Sequence, residues 1–371
     1  MKDYEVIELA KKAGYEIEKV EAIVQEASQR QYYRIYSKIS ASIETERIDD
    51  PKIFILCYLD PKIGNQDKFV EINKIIHEQT INLVPKIYFY DKNLGITIQQ
   101  DIGHDNIYRK YLAGSVRGRS HVIHKAALMI SLDALRRMHE INFSGLKFSG
   151  LKRMKQRDLI NQMKTFKTVY LDNFLGISSK ELNLQTKNID RLIEETICNL
   201  DEQPWVNCHT DFEGRNILIT HDFDWTDRQT YIIDYQDMCI GPIGIDLAGV
   251  IFDHYWFNGF DENTLKKTVR TSVLSNLLTR RKYNSVDDEV YEYARWGGIQ
   301  RNMRILGTLS NLYIKEKRTF RLPDLILILS NLIKIIPDDH HDLKYFMKDR
   351  VLKFDNKKMK AMGLYANPYI K

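Results

Sequence analysis

The chain has 371 residues, of which 43% are hydrophobic and 28% are charged, and its formal net charge is +5 at pH 7. This length suits two lobes better than one small core, and the composition is that of an ordinary globular protein. The modest positive charge argues against a dedicated nucleic-acid binder and only weakly favours anionic ligands. The sequence contains no run of 18 apolar residues, and its N-terminus lacks the apolar core of a signal peptide. We therefore expect no membrane insertion.

The four cysteines show no C-x-x-C spacing, and each lies in an apolar stretch of sequence: Cys57, Cys198, Cys208 and Cys239. This pattern favours reduced thiols that pack as small hydrophobic side chains. Reduced thiols in turn indicate a cytoplasmic protein.

The first hundred residues alternate between strand-like and helical patterns. Apolar residues at helical spacing predict a short leading helix that stops at Gly14. Residues 20–60 predict a hairpin and a third strand, Phe54–Asp60. A helix is expected over residues 69–81, and further strands at residues 87–91 and 95–103.

The remainder of the chain reads as mainly helical. Periodic apolar residues predict helices over residues 121–141, 158–175, 179–200 and 296–313, and a further helix that begins at Asp246. Ser178, Ser179 and Glu181 suit the start of the third of these. The basic stretch from Asp342 contains many aromatic residues, so we expect it to pack as a tail rather than to be disordered.

One motif points to chemistry. His209, Asp211 and Asn216 form H-x-D-x-x-x-x-N, and Asp234 ends an apolar run. Phosphoryl transfer needs a carboxylate to orient the acceptor hydroxyl and a cation to neutralise the phosphates. Asp211 fits the first role, and Asn216 and Asp234 fit the second, as Mg²⁺ ligands.

The local context supports this interpretation. Ile217–Ile219 and Tyr231–Ile233 predict a hairpin that would bring Asp234 towards the Asp211 loop. Two alternatives remain. Asp211 could cap a turn while Asp234 caps a strand end, or His209 could act as the general base, which would leave Asp211 without a role.

These stretches resemble a known family. HTDFEGRN and DYQDMCIGPIGIDL are similar to motifs of the aminoglycoside-phosphotransferase and choline-kinase superfamily, and within it of bacterial anomeric N-acetylmuramate/N-acetylglucosamine kinases. WGGIQRNMRILGTLSNLY resembles a late helix of the same kinases, and the similarity runs from about Glu26 to about Ile336. The resemblance implies an α+β, bilobal protein-kinase-like fold with an antiparallel five-stranded N-lobe, one helix in that lobe and a mainly helical C-lobe. We therefore expect the N-lobe at residues 1–101 and the C-lobe at 102–341, with a packed basic tail at 342–371 that lies beyond the resemblance.

The resemblance also implies ATP and Mg²⁺ as cofactors. The chain departs from the general kinase pattern because it has no G-x-G-x-x-G and no lysine in the third strand. Arginines of the first hairpin would then meet the phosphates, unless they are merely solvated hairpin charges. The residues implied in nucleotide binding are Ser28, Arg30, Arg34, Gln100 and Ile102, the last two through their backbone.

Motif by motif, the resemblance implies further roles. His209 and Asp246 would support the Asp211 loop, with Asp246 bracing its backbone. The residues implied in binding the acceptor are Glu213, Arg215, Asp237, Gln300 and Arg301. Gln300 and Arg301 could instead pair with acidic loops.

The implied function is ATP-dependent phosphorylation of a hydroxyl of a small N-acetyl amino sugar, at the anomeric position, in cell-wall sugar recycling. The expected partners are ATP and the sugar, with no nucleic acid. Glu213, if it faces the pocket, would repel an acidic sugar and attract a cation, whereas Arg301 argues the other way. An aminoglycoside or choline-type kinase is therefore the second hypothesis. The third is a nucleotide-binding protein without catalysis, because the glycine loop and the strand lysine are missing.

Overall fold

The computed structural model describes residues 1–23, 29–40, 52–109, 120–145, 150–220, 229–254, 263, 266 and 286–364. The chain divides into two compact units. The first contains residues 1–104, 141–150 and 218–236, and the second contains residues 105–140, 151–217 and 237–371. The chain thus passes between the units several times.

A five-stranded antiparallel sheet forms the centre of the first unit, with the strand order β1-β2-β3-β5-β4. The strands expected from the sequence are confirmed, although β3 begins two residues before the predicted position. Their bounds are Tyr15–Ile23 (β1), Gln31–Ser40 (β2), Lys52–Tyr58 (β3), Ile87–Asp91 (β4) and Ile96–Gln100 (β5).

Two helices accompany this sheet, α1 at Asp3–Lys12 and α2 at Asp67–Gln79. Helix α1 buries Val6 and Ala10 in the sheet core, which is why the N-terminal periodicity is apolar on one side only. Gly14 follows α1 with φ 87°, a conformation that favours glycine and ends the helix where the sequence predicts.

The first unit also contains most of a small hairpin, β7 at Ile217–Ile219 and β8 at Thr230–Ile232. These strands pair with each other, and the predicted hairpin is confirmed. The Ile232 N–H donates a hydrogen bond to the Leu83 carbonyl at 2.7 Å, so β8 is attached to the segment after α2. This attachment sets the position of Asp234, two residues further on.

The second unit is mainly helical. A two-stranded antiparallel sheet, β6 at Trp205–Cys208 with β9 at Cys239–Pro242, is its one strand pair among the residues described, and the sequence did not suggest it. The helices are Ser120–His139 (α3), Gln156–Thr165 (α4), Ser179–Asp201 (α5), Ile243–Ile251 (α6), Val286–Glu316 (α7), Asp324–Ile335 (α8), His341–Phe346 (α9) and Leu352–Ala361 (α10), with π-helical turns at Phe166–Phe174 and Met347–Val351.

Helices α6 and α7 approach each other more closely than side chains allow. A Cβ atom at Gly297 would overlap the Gly244 carbonyl, and one at Gly244 would overlap the Tyr293 carbonyl, so both positions require glycine. Every residue of α6 is buried. The tight crossing therefore holds α6, and with it Asp246, firmly inside the second unit.

The described part of the C-terminal stretch, residues 342–364, is packed. Met347, Val351 and Met359 are buried, and the Tyr170 hydroxyl donates a hydrogen bond to Asp355 Oδ2 at 2.7 Å. Within the described residues, no helix combines the length and apolar character needed to cross a bilayer.

The cysteines are all free thiols, but they are not all packed as the sequence suggested. Cys57 and Cys208 are buried and Cys239 is half-buried, whereas Cys198 is exposed. The prediction was wrong for Cys198 because its apolar neighbours Ile197 and Leu200 occupy the buried side of α5, whereas Cys198 lies on the exposed side.

Candidate active site

The Asp211 loop, residues 209–216, begins directly after β6 and is fixed by Asp246 of α6. Asp246 Oδ2 accepts a hydrogen bond from the His209 N–H at 2.7 Å, and Oδ1 accepts one from the Thr210 N–H at 2.8 Å. Thr210 has φ 76°, a left-handed conformation that a β-branched residue rarely adopts. The two hydrogen bonds stabilise this strained turn, which projects the next side chain, Asp211.

Asp246 is itself held as a carboxylate. Burial raises the pKa of Asp246, but hydrogen bonds from His139 and from the His209 backbone lower it below its usual value. His139 Nε2 lies 3.3 Å from Asp246 Oδ2. The bracing carboxylate is therefore ionised at neutral pH, and its hydrogen bonds to the backbone are charge-assisted.

His209 lies entirely inside the protein. Its side chain is buried and meets the Phe212 ring edge-on, with ring centres 5.7 Å apart, and its Nδ1 accepts from the Asp211 N–H at 3.4 Å. By contrast, the Asp211 side chain keeps 26% of its exposure. Of the two, Asp211 is the group that an acceptor hydroxyl can reach.

Asn216 is tied to the Asp211 backbone. Its Nδ2 donates to the Asp211 carbonyl at 2.9 Å, and its N–H donates to the Glu213 carbonyl at 2.8 Å. The first of these bonds sets the orientation of the amide and leaves Oδ1 as the atom able to bind a metal. An amide oxygen is among the donors that Mg²⁺ uses in proteins.

Asp234 lies in the first unit, two residues after β8. It has φ 63°, its side chain is exposed, and its Oδ1 accepts a hydrogen bond from Gln236 Nε2 at 2.6 Å. The neighbouring Asp237, predicted to contact the acceptor, is also exposed and belongs to the second unit. As an exposed carboxylate, Asp234 is chemically suited to Mg²⁺, as is Asn216.

Glu213 does not face a pocket. Its side chain has no exposure and contacts Arg215 Nε and Arg301 Nη2, with Arg321 Nη2 at 3.9 Å. The sequence argument that Glu213 would repel an acidic acceptor needed an accessible carboxylate, and it therefore does not apply. Three guanidinium groups compensate the Glu213 charge inside the protein.

Asp211 lies close to two of these cations and to a third one, Arg304. Arg215 Nη2 lies 3.2 Å from Asp211 Oδ2, while Arg301 and Arg304 place Nη2 atoms 3.4 Å and 3.7 Å from Oδ1. Burial raises the pKa of Asp211, but the guanidinium groups, Arg215 foremost, lower it well below its usual range. A carboxylate with so low a pKa is a weak base. Such a carboxylate can accept a hydrogen bond from a hydroxyl and so orient it.

Comparison with known proteins identifies the family. The sequence pattern of the APH phosphotransferase enzyme family matches residues 20–281. The chain belongs to this family. The small-molecule kinase activity expected from the sequence is confirmed at the level of the family.

A curated relative extends the comparison. The phosphotransferase is 22% identical over 256 residues to an N-acetylmuramate/N-acetylglucosamine kinase of Neisseria meningitidis serogroup B, a match that covers 68% of this chain and 70% of the relative.

Solved structures share the fold. An aminopropanol kinase associated with a microcompartment has a TM-score of 0.55 at 12% identity and covers 94% of this chain and 99% of its own. A choline kinase from Streptococcus pneumoniae has a TM-score of 0.52 at 12% identity and covers 90% and 97%. A Plasmodium vivax ethanolamine kinase has the same score and identity and covers 87% and 83%. The predicted α+β kinase-like fold is confirmed.

Helix α7 of the phosphotransferase supplies more of the site than the sequence indicated. Gln300 is buried and donates to Gln162 Oε1 at 2.9 Å, and Arg301 is buried with Glu213 and Asp211. Arg301 therefore makes the contact with acidic groups that the sequence analysis kept as the alternative, whereas Gln300 pairs with a neutral amide of α4. Arg304, three residues after Arg301, was missed, although its spacing places it on the same side of the helix.

Arg321 was also missed. It lies after the end of α7, its Nε donates to Asp324 Oδ2 at 2.9 Å, and its charge lowers the pKa of both Asp211 and Glu213. No local pattern marks this arginine, because its partner Glu213 is more than a hundred residues away in the chain.

The residues predicted to bind nucleotide lie in the first unit of the phosphotransferase, except Ser28, which falls outside the described residues. Arg34 forms a two-point ion pair with Asp101, at 2.6 Å and 3.1 Å, and Arg30 lies over the Phe69 ring at 5.9 Å. The Gln100 N–H already donates to the Lys86 carbonyl at 2.8 Å. Ile102 is buried. If the backbone meets adenine here, it uses other groups than the Gln100 N–H.

Proposed function

We propose that this phosphotransferase uses ATP to phosphorylate a hydroxyl of a small N-acetyl amino sugar, at the anomeric position, in cell-wall sugar recycling. One observation carries the reaction type: Asp211 is an ionised, partly exposed carboxylate whose backbone carbonyl is bound by the Asn216 amide. The sugar is supported by the N-acetylmuramate/N-acetylglucosamine kinase to which the chain is similar.

In this proposal Asp211 accepts a hydrogen bond from the acceptor hydroxyl and directs its oxygen towards the γ-phosphate. Asn216 and Asp234 would hold Mg²⁺, which when bound neutralises charge on the phosphates. Asp246 and His209 keep the loop in its strained conformation. No covalent intermediate with the protein is needed.

We assign the phosphate contact of the first hairpin to Arg30 rather than to Arg34. Arg34 already places two guanidinium nitrogens on the Asp101 carboxylate, and breaking that ion pair would oppose binding. Arg30 lies over the Phe69 ring at 5.9 Å, a contact with a ring face that a bound phosphate can accompany.

The charge arrangement bears on the acceptor. The carboxylate that would have attracted a cationic amine, Glu213, is buried with Arg215 and Arg301. This removes the main reason to prefer choline or an aminoglycoside and leaves a neutral or acidic sugar as the better acceptor. Arg215 and Arg301 would act on the acceptor through Asp211 rather than by direct contact.

The proposal is tested by an ADP-release assay with N-acetylmuramate, N-acetylglucosamine, glucosamine, choline and kanamycin as acceptors. We expect turnover with the N-acetyl sugars. Turnover confined to choline or kanamycin would contradict an N-acetyl sugar as the acceptor and assign a choline-type or aminoglycoside acceptor instead. Tight binding of Mg-ATP with no product from any acceptor would instead support a nucleotide-binding protein without catalysis.

Asp211→Asn tests the role of the carboxylate. We expect the variant to bind ATP normally but to lose turnover by about 100-fold or more, because the oriented hydroxyl loses its charged acceptor. Asp67→Asn is a matched control, since Asp67 also keeps 26% exposure and also pairs with a cation, Lys92. Unchanged turnover in Asp211→Asn would remove Asp211 from the chemistry.

We further propose that the reaction takes place in the cytoplasm, because all four cysteines are free thiols. Fractionation of cells that express the tagged protein would test this, and recovery outside the cytoplasm would contradict it.

A further inference from the structure

The charged side chains around Asp211 differ in how deeply they are buried. The acids Glu213 and Asp324 are completely buried, whereas the arginines reach towards the surface. Arg304 keeps 22% of its side-chain exposure and Arg321 keeps 12%. Among the residues described, the partly exposed charged side chains that accompany Asp211 in this cluster are therefore the cationic ones, Arg304 and Arg321.

Within the described residues, Arg304 uses only part of its capacity to donate hydrogen bonds. A guanidinium group carries five N–H donors. Arg304 Nη2 donates to the Thr210 carbonyl at 3.0 Å and lies 3.7 Å from Asp211 Oδ1, too far for a hydrogen bond. Within the described part of the chain, Arg304 Nε and Nη1 make no hydrogen bond. These donors lie beside the carboxylate that the reaction uses.

The charge of Arg304 is also incompletely compensated. Burial lowers the pKa of Arg304, and the nearby Asp211 and Glu213 only partly offset that effect. The pKa of Arg301 is instead raised, because its contacts with Glu213 and Asp211 outweigh burial. Of these two arginines on α7, Arg304 is the one that a further anion would stabilise.

We propose that Arg304 provides an oxyanion-binding position next to Asp211. Its occupant would be either a carboxylate of the acceptor or the phosphoryl group during transfer, since a guanidinium binds both kinds of oxygen. This inference rests on the proposed function and adds to it a residue that contacts the reacting molecules.

Arg304→Gln tests the position. The matched control is Arg295→Gln, because Arg295 lies on the same helix, keeps 25% of its exposure and also donates to a backbone carbonyl, that of Ile335, at 2.8 Å. Both variants are assayed with N-acetylmuramate, which has a lactyl ether with a carboxylate, and with N-acetylglucosamine, which lacks that group. Binding of each sugar without nucleotide is measured by calorimetry.

We expect Arg304→Gln to lower kcat/KM by about tenfold or more, while Arg295→Gln remains within about threefold of the wild type. A loss confined to N-acetylmuramate, with weaker binding of that sugar, assigns the position to the acceptor carboxylate. An equal loss of kcat with both sugars, with unchanged sugar binding, assigns it to the phosphoryl group. Activity of Arg304→Gln equal to that of the control would overturn the proposal.

Arg304→Lys covers the case in which Arg304→Gln does not fold. Lysine keeps the charge and one donor for the Thr210 carbonyl but cannot bind an oxyanion through two parallel N–H groups. We expect a smaller loss with the same acceptor dependence, and full activity would overturn the proposal. A wild-type enzyme that turns over neither sugar contradicts the proposed function instead, and the calorimetric comparison of the sugars still tests Arg304.

Discussion

The carboxylate of Asp246 holds Thr210 in a conformation that threonine avoids. The Thr210 N–H donates to Asp246 Oδ1 at 2.8 Å, and Thr210 has φ 76°. The same carboxylate binds the preceding N–H, that of His209. A buried side chain of α6 thus determines the direction in which the Asp211 carboxylate points.

Asp246→Asn should therefore impair turnover, although the substitution removes no protein group that contacts the reacting molecules. The amide has one acceptor oxygen for two backbone N–H donors, and its NH₂ would face the second donor. We expect kcat to fall by about 10- to 100-fold and stability to fall by about 1–3 kcal/mol. Steady-state kinetics and thermal unfolding provide the measurements. Asp355→Asn, a buried change away from the loop, is the control, and an equal loss of kcat in both variants would contradict the argument.

The sequence was sufficient for those parts of the site that depend on local spacing. H-x-D-x-x-x-x-N placed Asn216 against the Asp211 backbone because the two residues are joined by one short turn, Gly214–Asn216. It was not sufficient for the cations. Arg304 and Arg321 approach Asp211 and Glu213 only because the chain folds back over about a hundred residues, and no periodic pattern encodes such a contact.

Gly249 of α6 is predicted to be irreplaceable, because a Cβ atom there would overlap the Phe212 carbonyl. Gly249→Ala must push the Asp211 loop away from α6, and we expect a loss of about 1–3 kcal/mol in stability together with lower kcat. Thermal unfolding and kinetics are measured on the same preparation. Gly64→Ala is the control, since a Cβ atom there would meet only Leu59 Cδ2, at 3.7 Å. A fully active, stable Gly249→Ala would show that the loop can move freely.

Asp355 should make stability depend on pH. Burial raises the pKa of Asp355 to about 7, although the Tyr170 hydroxyl and Lys358 act in the opposite direction. The folded protein therefore holds this proton more tightly than the unfolded chain, whose carboxyl has the ordinary pKa of 3.8. The contribution to stability is complete below about pH 4 and is lost as the pH rises to about 7, at roughly 1.4 kcal/mol per pH unit.

Asp355→Asn removes this titration, because an amide stays neutral. The difference in Tm between the variant and the wild type should shift in favour of the variant from pH 5 to pH 7 and then remain constant. Comparing the two proteins at each pH cancels the titration of all other groups. A difference that does not change between pH 5 and pH 8 would show that Asp355 titrates alike in the folded and unfolded chains.

The sequence predicted the secondary structure correctly where strands and helices show strong local periodicity, as in α2 and the sheet of the first unit. The pair β6 and β9 was missed because each strand has only four residues and its partner lies about thirty residues away. Helix α7 begins at Val286, ten residues before the predicted start. Its first turns contain several acidic residues, so the apolar stripe that marks the helix becomes visible only later.

Tyr235 links Asp234 to α2 within the first unit. Its ring stacks on Phe69 with centres 5.0 Å apart, and Asn73 Nδ2 donates to its hydroxyl oxygen at 2.7 Å. Asp234 has a left-handed backbone conformation, with φ 63°. Since Tyr235 follows it directly, the anchoring of Tyr235 restrains the backbone of Asp234 and thus the direction of the Asp234 carboxylate. Tyr235→Phe keeps the stacked ring but leaves Asn73 Nδ2 with only the Pro85 carbonyl.

We expect Tyr235→Phe to lose about 1 kcal/mol of stability and to need a few-fold more Mg²⁺ for half-maximal activity, with an unchanged KM for the acceptor. Titration with Mn²⁺ in the presence of ADP, followed by electron paramagnetic resonance, measures the metal affinity without turnover. Tyr170→Phe is the matched control, because Tyr170 is equally buried and also loses one hydroxyl hydrogen bond, to Asp355. If both variants lose similar stability but neither changes the metal affinity, the hydroxyl stabilises the fold without orienting Asp234.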